Sequence, residues 1–341
     1  MAVSDKKYNV AVLGATGVVG KEIFKVLEEK DFPVGRLLPL ASSRTAGSTV
    51  VFKGKTLKVE LAGKDSFKDI DVALFSAGAS ISKEFAPYAV KAGAVVIDNT
   101  SHFRMDPEVP LVVPEVNAHA IKRHKGIIAN PNCSTAQLVV VLKPIHDAYK
   151  IKRIVVSTYQ AVSGWGKEAV DELSRQVRSW VEGKPLETKI LPKQIAFNVV
   201  PQIDSFVENG YTKEELKMIN ETKKIMEDDS IRITATTVRV PVFIGHSEAV
   251  NLELGKPCEA DDVRKLLAKA PGVRVIDNPS NKEYPTVLDC VGVDDTLVGR
   301  IRKDSSVASG LDLWIVSDNL RKGAAANAVQ IAEEMIKQGL L

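Results

Sequence analysis

The stretch Gly14-Ala15-Thr16-Gly17-Val18-Val19-Gly20 constrains the fold more than any other part of the chain. Before it, Tyr8–Leu13 is a short apolar run ending in glycine, which reads as a buried strand. After it, Val18–Glu29 places apolar residues at 19, 23, 24, 26 and 27, one face of a helix. Glycines between a strand and a helix allow a tight turn and let backbone approach a pyrophosphate, which the helix N-terminus then meets with unpaired N–H groups. The same rhythm continues. Residues 37–41 predict a second strand, residues 50–52 and 57–61 a hairpin joined through Gly54-Lys55, and residues 72–75 and 95–97 further buried strands around a helix near 82–92. The expectation is an α/β chain whose first domain is a Rossmann-type, doubly wound nucleotide-binding domain.

The residues that would hold the dinucleotide are Gly14, Thr16, Gly17, Val18 and Val19. A carboxylate at the end of the second strand would bind the ribose 2′-hydroxyl of NAD. Here that neighbourhood is Ser42-Ser43-Arg44-Thr45, hydroxyls and a guanidinium, which suit a 2′-phosphate. NADP is therefore the expected cofactor.

Composition narrows the class of partner. A formal net charge of +3 in 341 residues, with acids interleaved among the bases, gives no footprint for nucleic acid. No apolar run has the length of a membrane span, and the first residues lack a signal-peptide layout. Cys133, Cys258 and Cys290 are too few and too far apart for a disulfide framework, so a cytoplasmic location is expected.

The chemistry is expected at Asn130-Pro131-Asn132-Cys133-Ser134-Thr135, which follows an apolar run at 126–129 and opens a helical pattern over 135–148. A cysteine at a helix N-terminus has its thiolate favoured by unpaired N–H groups, which could also hold the oxyanion of a tetrahedral adduct. Cys258 and Cys290 lack this setting and read as structural. A nucleophilic thiol needs a proton partner. His119 and His124 flank a polar helical piece, and His146 lies in an amphipathic helix; all three read as solvated. His246 differs, because it and Arg239 sit at the connection between strand-like runs at 231–240 and 247–254. No metal-ligand spacing is present.

Taken with Tyr159-Gln160-Ala161-Val162-Ser163-Gly164, with Arg239-Val240-Pro241-Val242-Phe243-Ile244-Gly245-His246 and with Ser317-Asp318-Asn319-Leu320-Arg321-Lys322-Gly323-Ala324-Ala325, these motifs resemble the aspartate-semialdehyde dehydrogenase family in order and approximate spacing, over nearly the whole chain. The resemblance implies Cys133 as nucleophile, Gln160 as the residue orienting a thioester, and His246 as general acid/base. It implies Arg239 as ligand of the substrate carboxylate, Glu214 (or its neighbour Glu215) of the ammonium, and Lys217 and Arg104 of the phosphate, with Asn132 nearby. Ser163, Gly164 and Asn319 would line the nicotinamide end. His102 and Asp312 depart from the residues usual in the family.

The implied reaction is NADP-dependent, reversible reduction of 4-phospho-L-aspartate to L-aspartate 4-semialdehyde, on the route to lysine, diaminopimelate, threonine and methionine. The implied architecture is an NADP-binding domain over 1–132, completed by a C-terminal helix at 319–341, and a catalytic and dimerisation domain over 133–318 with a mixed sheet. The implied assembly is a homodimer, or a homotetramer built from it. Two other readings are N-acetyl-glutamyl-phosphate reductase, whose family has glycine in place of Asn132, and a non-catalytic NADP-binding sensor, which has no need of Cys133, Gln160, Arg239 and His246.

Overall fold

The computed structural model describes residues 6–341. By its internal contacts the chain forms two compact units, one ending at Pro131 and rejoined by Ala324–Leu341, the other spanning Asn132–Gly323.

The first unit is built on a six-stranded sheet of order β5-β2-β1-β6-β7-β8. Its strands are β1 (Tyr8–Leu13), β2 (Val34–Ala41), β5 (Glu60–Leu61), β6 (Val72–Phe75), β7 (Val95–Asp98) and β8 (Ile127–Ala129), and every pairing is parallel. Successive residues of β1 serve opposite faces. Val10 and Val12 pack with Ile23 and Leu27 of α1 (Val18–Glu29) and with Val329 and Met335 of α9 (Ala326–Lys337). Ala11 and Leu13 pack with Ala86 and Ala89 of α2 (Ala79–Lys91). Both faces are covered, so the strand is apolar throughout rather than alternating. Each fully buried large aliphatic side chain contributes roughly 1.5–3 kcal/mol. The order reverses between β1 and β6, and Gly14 lies at the carboxyl end of β1, where open α/β sheets bind ligands.

Three local expectations change. The hairpin is β3 (Thr49–Phe52) with β4 (Lys55–Lys58), but residues 57–61 are not one strand. Val59 is buried, and the chain leaves the hairpin there so that Glu60 and Leu61 pair with β2. The piece around 119–125 is a short helix α3 (Pro114–Asn117) followed by a 3₁₀ turn, Ala118–Arg123. The C-terminal helix does not run from 319: a π-helical turn, Arg321–Ala325, precedes α9.

The second unit has a mixed sheet of order β10-β9-β11-β14-β13-β12. Its strands are β9 (Ile151–Gln160), β10 (Arg232–Arg239), β11 (His246–Leu254), β12 (Val273–Val275), β13 (Thr296–Asp304) and β14 (Gly310–Ser317). β9 and β10 are parallel, and β11 is antiparallel to β9 and β14. Helix α4 (Cys133–Tyr149) packs on β11, β13 and β14, with α6 (Lys213–Met226) and α7 (Ala260–Leu267) beside it. Helices α5 (Lys167–Val181) and α8 (Val287–Cys290) complete the unit. The buried face of β9 is apolar at Ile154 and Val156 and becomes polar at Thr158 and Gln160. β11 carries the matching change, with His246 and Glu248 before Val250 and Leu252. Strand direction thus brings two polar strand ends together.

Candidate active site

Gln160, the last residue of β9, pairs with Arg239 of β10 on one side and His246 of β11 on the other. Three candidate side chains therefore lie in a row across three adjacent strand ends, all buried. Arg239 Nη1 donates to the Ala161 carbonyl at 2.6 Å, which fixes the guanidinium while its fork carries further donors. Gly164 closes the corner: a Cβ there would stand 3.1 Å from Arg239 Nη1 and 3.5 Å from His246 Nε2.

Cys133 is the first residue of α4, and its Sγ is 3.3 Å from His246 Nε2. Asn132 is the N-cap, its Oδ1 accepting from the N–H groups of Ser134 and Thr135. This corrects one expectation. Those two first-turn amides already serve the cap, so they are not donors for an oxyanion. The π turn bears on the same residue, because a Cβ at Gly323 would stand 2.6 Å from Cys133 Cβ and 3.0 Å from its Cα. π turns recur at functional sites, and sequence reasoning missed this contact. The signal available was the run of small residues Gly323-Ala324-Ala325. We expect Gly323→Ala to slow alkylation of Cys133, measured against iodoacetamide, because the neighbour to be displaced is main chain and Cβ rather than a flexible tip.

The start of α6, Lys213-Glu214-Glu215, has the composition of an exposed polar face, yet its two acids are buried, with different duties. Glu215 forms a capping box with Thr212 and also accepts from the Thr237 N–H. Glu214 accepts from Asn132 Nδ2 at 2.8 Å, Gln160 Nε2 at 3.2 Å and Lys217 Nζ at 3.0 Å. Burial works against the charge on Glu214, but Lys217 and these hydrogen bonds outweigh it and hold the carboxyl below its ordinary range. Lys217 also donates to Asp204, and although burial opposes its charge, the two acids hold its ammonium above the ordinary range. Glu221, another buried acid of α6 not anticipated, accepts from the Asn132 N–H at 2.6 Å.

His246 is fully buried, and burial together with the positive charge of Arg239 lowers its pKa to about 3. The ring is therefore neutral at physiological pH. Its Nδ1 accepts from the Ala161 N–H at 3.0 Å, which assigns the single ring proton to Nε2, facing Cys133. The other thiols differ. Burial pushes Cys290 up to about 12 and raises Cys258. His146 is buried rather than solvated, accepting from the Ile151 N–H and lying 3.4 Å from Asp228. Ser163 and Asn319 hydrogen-bond each other, and Asn319 Oδ1 accepts from the Gly245 N–H.

Within the first unit, Gly17 caps α1 without a side-chain bond. A Cβ at Gly20 would lie 2.2 Å from the Gly14 carbonyl oxygen, so that turn has room for glycine alone. Thr16 Oγ1 meets Thr45 Oγ1 at 2.9 Å, joining the glycine turn to the exposed loop of Ser42, Ser43 and Arg44. Arg104 is buried and donates to the Asn130 and Asn99 carbonyls. Both of these carbonyls belong to its own unit. His102 is exposed, edge-on to Phe103, and Asp312 accepts from Asn251 and pairs with Arg302.

A thiol beside a neutral imidazole, an arginine and a buried acid at strand ends, with a dinucleotide-type unit preceding, defines an acyl-transferring dehydrogenase class. Comparison agrees: residues 9–124 match the family model "Semialdehyde dehydrogenase, NAD binding domain" and residues 142–322 match "Semialdehyde dehydrogenase, dimerisation domain". The aspartate-semialdehyde dehydrogenase of Legionella pneumophila is 58% identical over 98% of this chain and 97% of its own. The crystal structure of aspartate semialdehyde dehydrogenase II from Vibrio cholerae complexed with ASA is 51% identical, with a TM-score of 0.95 over 97% of this chain and 99% of that one. A more distant structure, the Candida albicans enzyme with NADP, has 27% identity and a TM-score of 0.76, covering 98% of this chain and all (100%) of that one. The chain belongs to the aspartate-semialdehyde dehydrogenase family.

Proposed function

We propose that the protein interconverts 4-phospho-L-aspartate and L-aspartate 4-semialdehyde through a thioester on Cys133, with NADP as cofactor. The observation that carries this reading is the 3.3 Å approach of Cys133 Sγ to His246 Nε2 beside Gln160, Arg239 and Glu214. In the reductive direction the Cys133 thiolate, its proton already released to solvent, attacks the acyl carbon, the acyl C–O bond breaks, and phosphate leaves with its electron pair. Arg239 grips the α-carboxylate and Glu214 receives the α-ammonium, so the acyl carbon is held at Sγ. Gln160 orients the thioester carbonyl. The Nε2–H of His246 donates a hydrogen bond to the oxygen as it gains charge and keeps its proton when the carbonyl re-forms and the C–S bond breaks, Cys133 leaving as thiolate. Lys217 and Arg104 are the proposed phosphate ligands, with Asn132 holding Glu214 in place. The acetylated substrate of the related reductase has no ammonium for Glu214 to meet, and a sensor has no use for a paired thiol and imidazole.

When bound, the nicotinamide cofactor supplies the hydride. The glycine turn fits a pyrophosphate: Gly14 takes φ of +92°, Gly20 has no room for a Cβ, and α1 begins without a side-chain cap. Gly14, Thr16, Gly17, Val18 and Val19 are the proposed pyrophosphate cradle. Ser42, Ser43, Arg44 and Thr45 would take the 2′-phosphate, and Ser163, Gly164 and Asn319 the nicotinamide. Arg44→Ala should weaken NADP binding much more than NAD binding, because a charge-assisted hydrogen bond is worth ~1.5–3 kcal/mol, about ten- to a hundredfold. Equal losses for both cofactors, by titration of intrinsic fluorescence, would remove Arg44 from the site.

A homodimer is the proposed assembly. The second unit exposes Trp180, Val181, Phe197 and Val199, with the Trp180 and Phe197 rings in tilted contact, centroids 4.8 Å apart, an apolar surface typical of interfaces. A reducing compartment, the cytoplasm, suits a free thiol nucleophile. No helix among the described residues is long and apolar enough to cross a membrane. The decisive assay mixes enzyme, NADP, phosphate and aspartate semialdehyde and follows NADPH absorbance. No NADPH with that substrate, but turnover with the acetylated glutamate analogue, would replace this reading.

A further inference from the structure

Behind the Cys133–His246 pair lies a layer of buried polar groups that the reaction above does not use. Glu248 is two residues beyond His246 on β11, facing the same side of the sheet, and is fully buried. Neither of its carboxyl oxygens has a hydrogen-bond partner. Gln137, one turn after Cys133 on α4, adjoins it. Gln137 Nε2 donates to the His246 carbonyl at 3.4 Å, while its Oε1 is also without a partner. Arg239 on β10 and Glu214 on α6 bring charge to the His246 end of this layer but not to Glu248, and the other groups facing it are uncharged. They are Thr158 and Gln160 on β9, Ser317 on β14, Thr296 on β13 and the hydroxyls of Ser134 and Thr135 on α4, with neutral His246 on Glu248's own strand.

These orphaned atoms have one common solution. Gln137 Nε2 carries two hydrogens, one directed at the His246 carbonyl, so a second N–H and Oε1 remain for Glu248. An ionised carboxylate could accept that N–H but would leave Oε1 unpartnered, whereas a protonated carboxyl can accept the N–H and donate to Oε1. Burial, offset only in part by the Gln137 amide, pushes the Glu248 carboxyl well above its usual range, so the acid form is the one present. The chain Glu248–Gln137–His246 then ties the first turn of α4, which carries Cys133, to the strand that carries His246.

We propose that Glu248 is a positioning residue: as a buried neutral acid it acts through Gln137 to hold the nucleophile helix against the histidine strand. The proposal rests on the reading of Cys133 and His246 as the reacting pair. Glu248→Leu and Gln137→Leu each lose the link. Turnover should fall roughly tenfold or more, since small displacements of reacting groups have effects of that order, while KM changes little. Glu248→Gln, neutral and of the same shape, should restore most of that loss.

Stability gives a second readout. The folded-state pKa of Glu248 lies above its unfolded value, so between the two the folded state holds the extra proton, and stability falls as pH rises. Against Glu248→Gln, the wild-type Tm should match near the ordinary carboxylate pKa and drop progressively behind as pH increases. The experiment measures kcat, KM, rate of Cys133 alkylation and Tm against pH for all variants, with Cys133→Ser as control. Wild-type kcat in both leucine variants, or a Tm gap to Glu248→Gln that does not change with pH, overturns the proposal. Full turnover in Cys133→Ser would instead overturn the site reading beneath it. If Glu248→Leu fails to fold, Gln137→Leu and the pH-dependent Tm of Glu248→Gln decide.

Discussion

Cys133→Ser should fold and lose turnover by roughly a thousandfold or more, the scale seen when a catalytic nucleophile is removed. Oxygen is smaller than sulfur, so the change introduces no clash, and Asn132 still caps Ser134 and Thr135, so α4 has no reason to move. What disappears is nucleophilicity. A serine hydroxyl at its ordinary pKa needs a strong base, and the neutral ring of His246 presents an N–H, not a lone pair, towards position 133. The same geometry makes a labelling prediction. Cys133 should be alkylated ahead of Cys258, whose thiol burial raises, and well ahead of Cys290, raised to about 12. Phospho-aspartate should protect it. Mass spectrometry that finds the label chiefly on Cys258 or Cys290 would move the nucleophile elsewhere.

The histidine adds a pH dependence with a definite sign. Its folded pKa of about 3 lies below the unfolded value near 6.5, so between these the unfolded state binds more protons. His246 therefore costs stability as pH falls from about 6.5 toward 3. The pH profile of kcat/KM of the free enzyme should lack an acid limb at the usual histidine pKa.

How much of this was legible in the sequence follows from the range of the forces involved. β1, the glycine turn and α1 are local: periodicity and glycine placement determine them, and the boundaries agree to the residue. The Cys133 helix start is also local, because Asn130-Pro131 breaks the strand and Asn132 supplies the cap. What sequence could not supply is burial. Lys213-Glu214-Glu215 reads as a solvated polar face because its composition is that of one. It is buried because Lys217, Asn132 and Gln160, the last from a strand 54 residues away, hydrogen-bond the first acid. His146 was misjudged for the same reason, its partners Ile151 and Asp228 lying beyond its own helix. The mixed sheet was expected from resemblance, but the row Arg239–Gln160–His246 comes from pairing register, which no local pattern encodes.

Arg239→Lys should be the most costly conservative change in the substrate site, lowering kcat/KM roughly 10²- to 10³-fold, because a bidentate grip and the placement of the acyl carbon are lost together. The charge survives, so a purely electrostatic role would leave the enzyme largely active. Lysine has no planar fork, and it cannot both reach the Ala161 carbonyl and present two parallel donors to a carboxylate. The glutamates separate recognition from support. Glu214→Gln keeps its bond from Lys217 or Asn132 but loses the charge proposed to meet an ammonium, so KM for aspartate semialdehyde should rise, with a smaller fall in kcat. Glu215→Gln disturbs the capping box and should lower Tm, by an amount equivalent to about 0.5–2 kcal/mol, with kinetics near wild type. A substrate analogue lacking the amine sharpens the comparison. Arg239→Lys should impair both substrates, whereas Glu214→Gln should impair only the one that carries an ammonium. If Glu214→Gln impairs both equally, Glu214 acts by holding Gln160 and Lys217 rather than by binding the amine.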